Sequence, residues 1–238
     1  MLEHNWDRQY EIYDRAFSQS DLLEEEFVED FGEYILQIGF PQVKITSIRP
    51  TVHWFHGSRS INPKEYSKYG ILPLSDMYPK IKQMVDGIAS KLNFHPKECV
   101  SNNQKRSRWL AEMKLNDVIN HGGPFAVLMY EAASTPEKFG NHSYIDEPEI
   151  ISNYAYMTYD KGAELILKEF KRVSKPIIVE FIEPCNSDLT PLRILITTVI
   201  QYLYGTIHNK EEISYGSTCF SNKGKSIPPE LIVKIHRI

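Results

Sequence analysis

Val52-His53-Trp54-Phe55-His56-Gly57-Ser58 follows the two-residue period of a strand, with Val52, Trp54 and His56 on one face and Gly57 as its expected end. His53 and His56 then point to opposite sides, so they cannot chelate one metal as a helical pair can. Upstream, Val43 to Ile48 reads as a second strand, separated from the first by Pro50. Further upstream, Leu23, Phe27, Phe31, Ile35 and Ile38 form one helical stripe. Ser20 is its expected N-cap and Gly39 with Pro41 its stop. The acidic face of that helix, Glu25 to Glu33, reads as solvated or as a partner surface.

Downstream, Gly70 to Pro73 marks a turn, and Met77, Ile81, Val85, Ile88 and Leu92 recur at helical spacing. Trp109, Met113 and Ile119 suggest a second helix, broken by His121-Gly122-Gly123-Pro124. Phe125 to Glu131 reads as a buried strand, and Pro148 as the first position of a short helix. Asp160 is the expected N-cap of a helix through Ala163, Ile166, Leu167 and Phe170. Pro176 to Ile182 is a strand by its Ile-Ile-Val run, and Thr190-Pro191 opens a helix reaching Tyr204. Glu212 to Phe220 and Leu231 to Ile238 give two more strands around an Asn222-Lys223-Gly224 turn. Strands separated by unequal helices, without regular βαβ punctuation, point to an α+β fold rather than a doubly wound sheet.

A chain of 238 residues can bury one generous core, and a charged fraction of 24% is that of an ordinary globular protein. The net charge of −4 supplies no global positive field for a phosphate backbone. The basic cluster Lys105, Arg106, Arg108 is short and reads as a solvated helix start. Cys99, Cys185 and Cys219 are odd in number, dispersed and without zinc spacing, which fits a reducing, cytoplasmic setting. The N-terminus is polar and acidic rather than basic and then apolar, so no signal peptide is expected. No apolar run approaches the roughly 20 residues of a membrane span, so no membrane partner is expected.

The usual chemical signatures are missing from the sequence: no Gly-x-x-x-x-Gly-Lys loop, no Gly-x-Gly-x-x-Gly, no His-Glu-x-x-His and no Gly-x-Ser-x-Gly. What stands out is His56-Gly57-Ser58 at a strand, followed by Tyr69-Gly70-Ile71-Leu72-Pro73. This pair of segments resembles the first motif of the ADP-ribosyltransferase family, in which a strand carries His-Gly-Thr or His-Gly-Ser and a Gly-Ile or Gly-Leu turn follows. The residue types suit the chemistry. A neutral imidazole can bond a ribose hydroxyl, and glycine lets its backbone approach a nicotinamide amide. Alone, His56 reads first as a satisfied histidine at a strand end, and the context of strand, turn and Gly70-Ile71-Leu72-Pro73 moves the reading towards a site.

Tyr154 to Thr158 followed by Asp160-Lys161-Gly162-Ala163 is similar to the strand and helix of the poly(ADP-ribose) polymerase branch. The family's stacking tyrosine falls on Leu165, so the resemblance assigns stacking to Tyr156 or Tyr159. A third family element, an acidic residue near the start of a late strand, falls on Glu212 in one alignment. In another, Ser217-Thr218-Cys219 takes its place and the carboxylate is absent. The resemblance loosely covers residues 52 to 73 and 150 to 238.

It implies an ADP-ribosyltransferase-like split mixed β-sheet over residues 43–238, with a helical preface over 1–42 and a helical insertion over 75–120. It further implies an NAD-consuming ADP-ribosyltransferase or NAD glycohydrolase of the toxin or defence type. In that reading His56, Gly57, Ser58, Tyr156 and Tyr159 hold NAD, and Glu212 with His56 serves catalysis. The acceptor is open: protein, nucleic acid, small molecule or water. Two alternatives accompany it: a catalytically silent module that keeps the NAD cleft, and an RNA 2′-phosphotransferase, for which Arg59 lies near the motif without a matching set of arginines.

Overall fold

The computed structural model describes residues 51–97, 100–184, 191, 194–196, 198, 199 and 219–238. The expected preface over 1–42, the strand at 43–48, most of the helix at 190–204 and Glu212 lie outside these residues.

Two long strands form the centre. β1 (Thr51–Ser60) and β3 (Lys175–Pro184) pair antiparallel along their whole length, from Thr51↔Pro184 to Ser60↔Lys175. Three shorter strands complete the sheet: β2 (Phe125–Val127), β4 (Cys219–Ser221) and β5 (Ile232–Arg237), in the order β4-β2-β1-β3-β5. The fold is therefore α+β, as expected. The expected mixed sheet is not what these strands make, because all four of their pairings are antiparallel. Each partner on the sheet is reached by a chain reversal, not by a crossover returning in the same direction.

The face carrying Val52, Trp54, Ile177, Val179 and Phe181 buries against Ile71 and Ile227, which bridge each other beside the sheet. Trp54 is 1% exposed, and its Nε1 donates to Glu183 Oε2 at 2.8 Å, so the indole gains burial without stranding its donor. Phe220 packs against both Trp54 and Phe181, tilted at 44° to the former and edge-on to the latter, with ring centroids 5.2 Å away in each case.

A second core is helical. α1 (Lys64–Tyr69) leads into α2 (Leu74–Lys91), which buries the expected stripe of Ile81, Val85 and Ile88. That stripe packs against α6 (Glu149–Tyr159) and α7 (Ala163–Val173), the latter through Ile166, Leu167 and Phe170. Between α2 and α6 lie α3 (Asn102–Asn116), α4 (Val118–His121) and α5 (Tyr130–Ser134).

Several expectations are corrected. The strand does not end at Gly57 but continues through Ser60, because β3 partners it to its last residue. The stretch Phe125–Glu131 is a strand only to Val127, after which Tyr130 starts α5 and Ala132 and Ala133 turn inward. Tyr154 to Thr158 is helix rather than strand, since Ile151, Tyr154, Ala155 and Tyr159 bury at helical spacing. In α3 the buried side chains are Gln104 and Ala111, while Trp109 is 61% exposed. Gln104 is inside because it closes a capping box with Ser101 and reaches Met157 O. Ile119 belongs to α4, a separate helix capped by Asp117. Pro148 is the N-cap of α6, one position ahead of its expected place, and a 3-10 turn at Asp160–Gly162 precedes α7. The last two strands flank no shared hairpin, for β4 pairs with β2 on one edge and β5 with β3 on the other.

Arg59, past the middle of β1, braces the sheet to the helical layer. Its Nε donates to Ser174 Oγ at 3.0 Å, Nη1 to Ile145 O at 2.8 Å, and Nη2 to Lys171 O and Ser174 O at 2.9 and 3.3 Å. Lys171 O and Ser174 O lie at the end of α7, where helix carbonyls lack partners. Arg59→Met should therefore lower the unfolding free energy by about 2–4 kcal/mol, read from denaturant midpoints, since three carbonyls and a hydroxyl lose a charged donor. A change under about 0.5 kcal/mol, the usual scale of surface substitutions, would contradict the brace.

Candidate functional site

A groove of about 670 Å3 opens where β1 faces α1 and the start of α2. His56, Gly57 and Ser58 line it from the strand, Tyr66 and Tyr69 from α1, and Gly70, Ile71 and Leu72 from the following turn. Met77, Lys80 and Met84 of α2 face it, as do His121 to Phe125 and Pro148 to Ile151. The two segments singled out in the sequence thus meet in one cavity.

His56 sits where the sheet parts. β1 and β2 pair only at Phe55↔Val127, and beyond that point the His56 side chain takes up a β2 carbonyl, its Nδ1 lying 2.6 Å from Phe125 O. A carbonyl can only accept, so Nδ1 carries the proton and the neutral ring presents Nε2 as an acceptor. Burial lowers the imidazole pKa below 6.5, and the Phe125 bond only partly offsets this, although the ring keeps some exposure.

Beside it, Tyr66 Oη donates to Ser58 Oγ at 3.1 Å. Burial raises the phenol above its ordinary value, so Tyr66 stays protonated. Tyr69 is 44% exposed and carries the Lys68 and Lys80 ammonium groups each 4.8 Å from its ring centroid. On the far wall Lys114 pairs with Glu149.

The turn after α1 depends on Gly70. Its φ of 72° is left-handed, and a Cβ there would lie 1.8 Å from Ile227 O. That close approach lets Ile71, which lines the groove, exchange backbone bonds of 2.9 and 2.8 Å with Ile227.

The structure does not bring the expected tyrosines to this groove. Tyr154 Oη and Tyr159 Oη donate to Asp86 Oδ1 at 2.9 and 2.6 Å inside the helical core, and Tyr156 packs against that same core. Burial and the Asp86 carboxylate push the Tyr159 phenol far up, so it is a fixed donor. Tyr66, Lys80, Lys114 and Tyr144 of the groove were not singled out in the sequence. The one local signal was the three-residue spacing that puts Tyr66 and Tyr69 on one face of a helix.

Arg59 reaches the groove, but its guanidinium is spent on the protein's own oxygens. On the opposite face of the sheet, Glu180 bridges His53 Nδ1 at 2.7 Å and His236 Nε2 at 2.8 Å. Burial pushes that carboxyl up, yet the two histidine bonds outweigh it and hold the acid below its ordinary range. Among the described residues no group of His, Cys, Asp and Glu is arranged to hold a metal ion, and no helix is long and apolar enough to cross a membrane. Comparison with protein-family models, curated proteins and solved structures found no match to the chain.

Proposed function

We propose that the groove binds NAD and that the protein is an NAD-consuming ADP-ribosyltransferase or NAD glycohydrolase of the toxin or defence type. The observation that carries this reading is the meeting of His56-Gly57-Ser58 and Tyr69-Gly70-Ile71-Leu72 in one groove, with a neutral histidine at the junction. Its volume of about 670 Å3 lies within the range of small-molecule sites, roughly 300–1,000 Å3. His56 Nε2 accepts from a ribose hydroxyl, Tyr66 or Tyr69 offers an aromatic face, and Lys80 meets the pyrophosphate.

The reaction breaks the bond between the nicotinamide nitrogen and ribose C1. Nicotinamide leaves as a neutral molecule with the bonding electrons, and the positive charge developing on the sugar needs a carboxylate, for which Glu212 is the candidate. Water or an acceptor nucleophile then bonds to C1 and gives up a proton. The reading assumes a reducing, cytoplasmic setting, which the dispersed cysteines of the sequence suit. With Arg59 spent as a brace, the described residues of the groove offer the RNA 2′-phosphotransferase reading no arginine set.

His56→Ala should weaken NAD binding and slow turnover together, because the imidazole holds both ground state and transition state. In the parent, burial keeps His56 mostly neutral at pH 6.5 and above. Protonation would convert Nε2 to a donor, so affinity should fall with pH and the midpoint of that fall should lie below 6.5. Calorimetric titration and a nicotinamide-release assay check both statements. Affinity already halved at pH 6.5, or an alanine variant that binds as the parent does, would sink the assignment. NAD bound but never consumed with any acceptor, or with water, would turn the reading to the silent module.

A further inference from the structure

A second cavity, of about 360 Å3, lies on the α5 side of the sheet. Phe55, Val127, Ala132 and Ala133 give it an apolar base, and the part-exposed His142 and Tyr144 flank its solvent side. It adjoins the groove: Gly57, Lys114, His121, Phe125 and Tyr144 line both. The junction falls where β1 and β2 stop pairing, and Gly57 leaves it open because it has no side chain. A Cβ there would sit 3.2 Å from Ile145 Cγ2 and 3.5 Å from Ala133 O.

Three features restrict the occupant. The rings of His142 and Tyr144 meet edge to face, with centroids 4.7 Å apart and planes at 77°, and Phe55 adds a third ring, so a flat aromatic ligand finds both a face and an edge. The lining carries two imidazoles, two asparagine amides and the Lys114 ammonium, whose charge Glu149 offsets, so it offers donors and acceptors without a net field and suits a neutral heterocycle. The volume is near the lower end for ligand sites, and the chain's net charge of −4 does not favour a nucleic-acid strand.

We infer that this cavity seats the heterocyclic base of a free nucleoside as a second substrate, beside the NAD groove. Its role as acceptor rests on the function proposed above. A nitrogen of the nucleoside forms the new bond to ribose C1 as the bond from that carbon to nicotinamide breaks. Nicotinamide keeps the electron pair, and the proton lost by the acceptor passes to the imidazole of His121, which lines both cavities.

Adenosine titrated calorimetrically into the full chain, alone and with NAD present, tests the assignment. Binding should appear by about millimolar concentration and persist in saturating NAD. It should weaken at least about tenfold in Ala133→Leu, which fills the cavity, and in His142→Ala, which removes a ring from its part-exposed side and should leave the fold intact. Absence of binding, displacement by NAD, equal binding by His142→Ala, or preference for a single-stranded oligonucleotide over adenosine would overturn the inference. If adenosine binds in the His142-dependent manner while the parent never releases nicotinamide from NAD, the cavity assignment stands and the donor reading falls.

Discussion

Gly70→Ala should cost at least about 3 kcal/mol of stability, measured from denaturant midpoints at unchanged slope. Two penalties act together. The left-handed φ of 72° is strained for any residue with a Cβ, and that Cβ would stand 1.8 Å from a backbone oxygen that no rotamer change can move. Relief requires the chain at Ile227 to retreat, which breaks its paired bonds with Ile71 of the groove wall. Gly87 supplies the control. It lies inside α2, and a Cβ there meets nothing within 4 Å. Gly87→Ala should therefore raise stability by about 0.5–1 kcal/mol. Equal effects at the two glycines would contradict the close approach at Gly70.

Glu212→Gln should leave NAD affinity nearly unchanged and slow nicotinamide release at least about a hundredfold. Removing one preorganised group that stabilises developing charge typically raises the barrier by roughly 2.7–4 kcal/mol. The split between binding and rate distinguishes this role from that of His56, whose loss should lower both. A Glu212→Gln enzyme as fast as the parent would exclude that carboxylate and favour the alignment that places Ser217-Thr218-Cys219 there.

The sequence made β1 and α2 legible because each repeats one period, Val52 and Trp54 on the strand and Ile81, Val85 and Ile88 on the helix, while β3 was legible by its β-branched Ile177-Ile178-Val179 run. It failed where an apolar run was short or the buried residue small. Phe125 to Glu131 is continuously apolar up to its last residue, and such a run has no period that separates strand from helix. In α3 the inward face is marked by Ala111 and a capping glutamine, while the large Trp109 points outward. Around Tyr156, resemblance to a strand outweighed a helical spacing of buried residues already present from Ile151 to Tyr159.

Of the groove, the two motif segments were readable but their wall was not. The bond from His56 to Phe125 O spans 69 positions, and Lys114 joins Glu149 across 35. Neither leaves a local pattern, and the resemblance points to the 154–159 run rather than to Tyr66 and Tyr69. Those expected tyrosines instead tie α6 to Asp86 of α2.

The central claim is that NAD occupies the groove over the middle of β1. A crystal structure of the full chain with NAD tests it most directly. The account predicts a ribose hydroxyl within hydrogen-bond distance of His56 Nε2 and the nicotinamide amide against the backbone of Gly57 and Ser58. NAD found elsewhere on the protein, or absent from the groove at concentrations that saturate any measured binding, would contradict it.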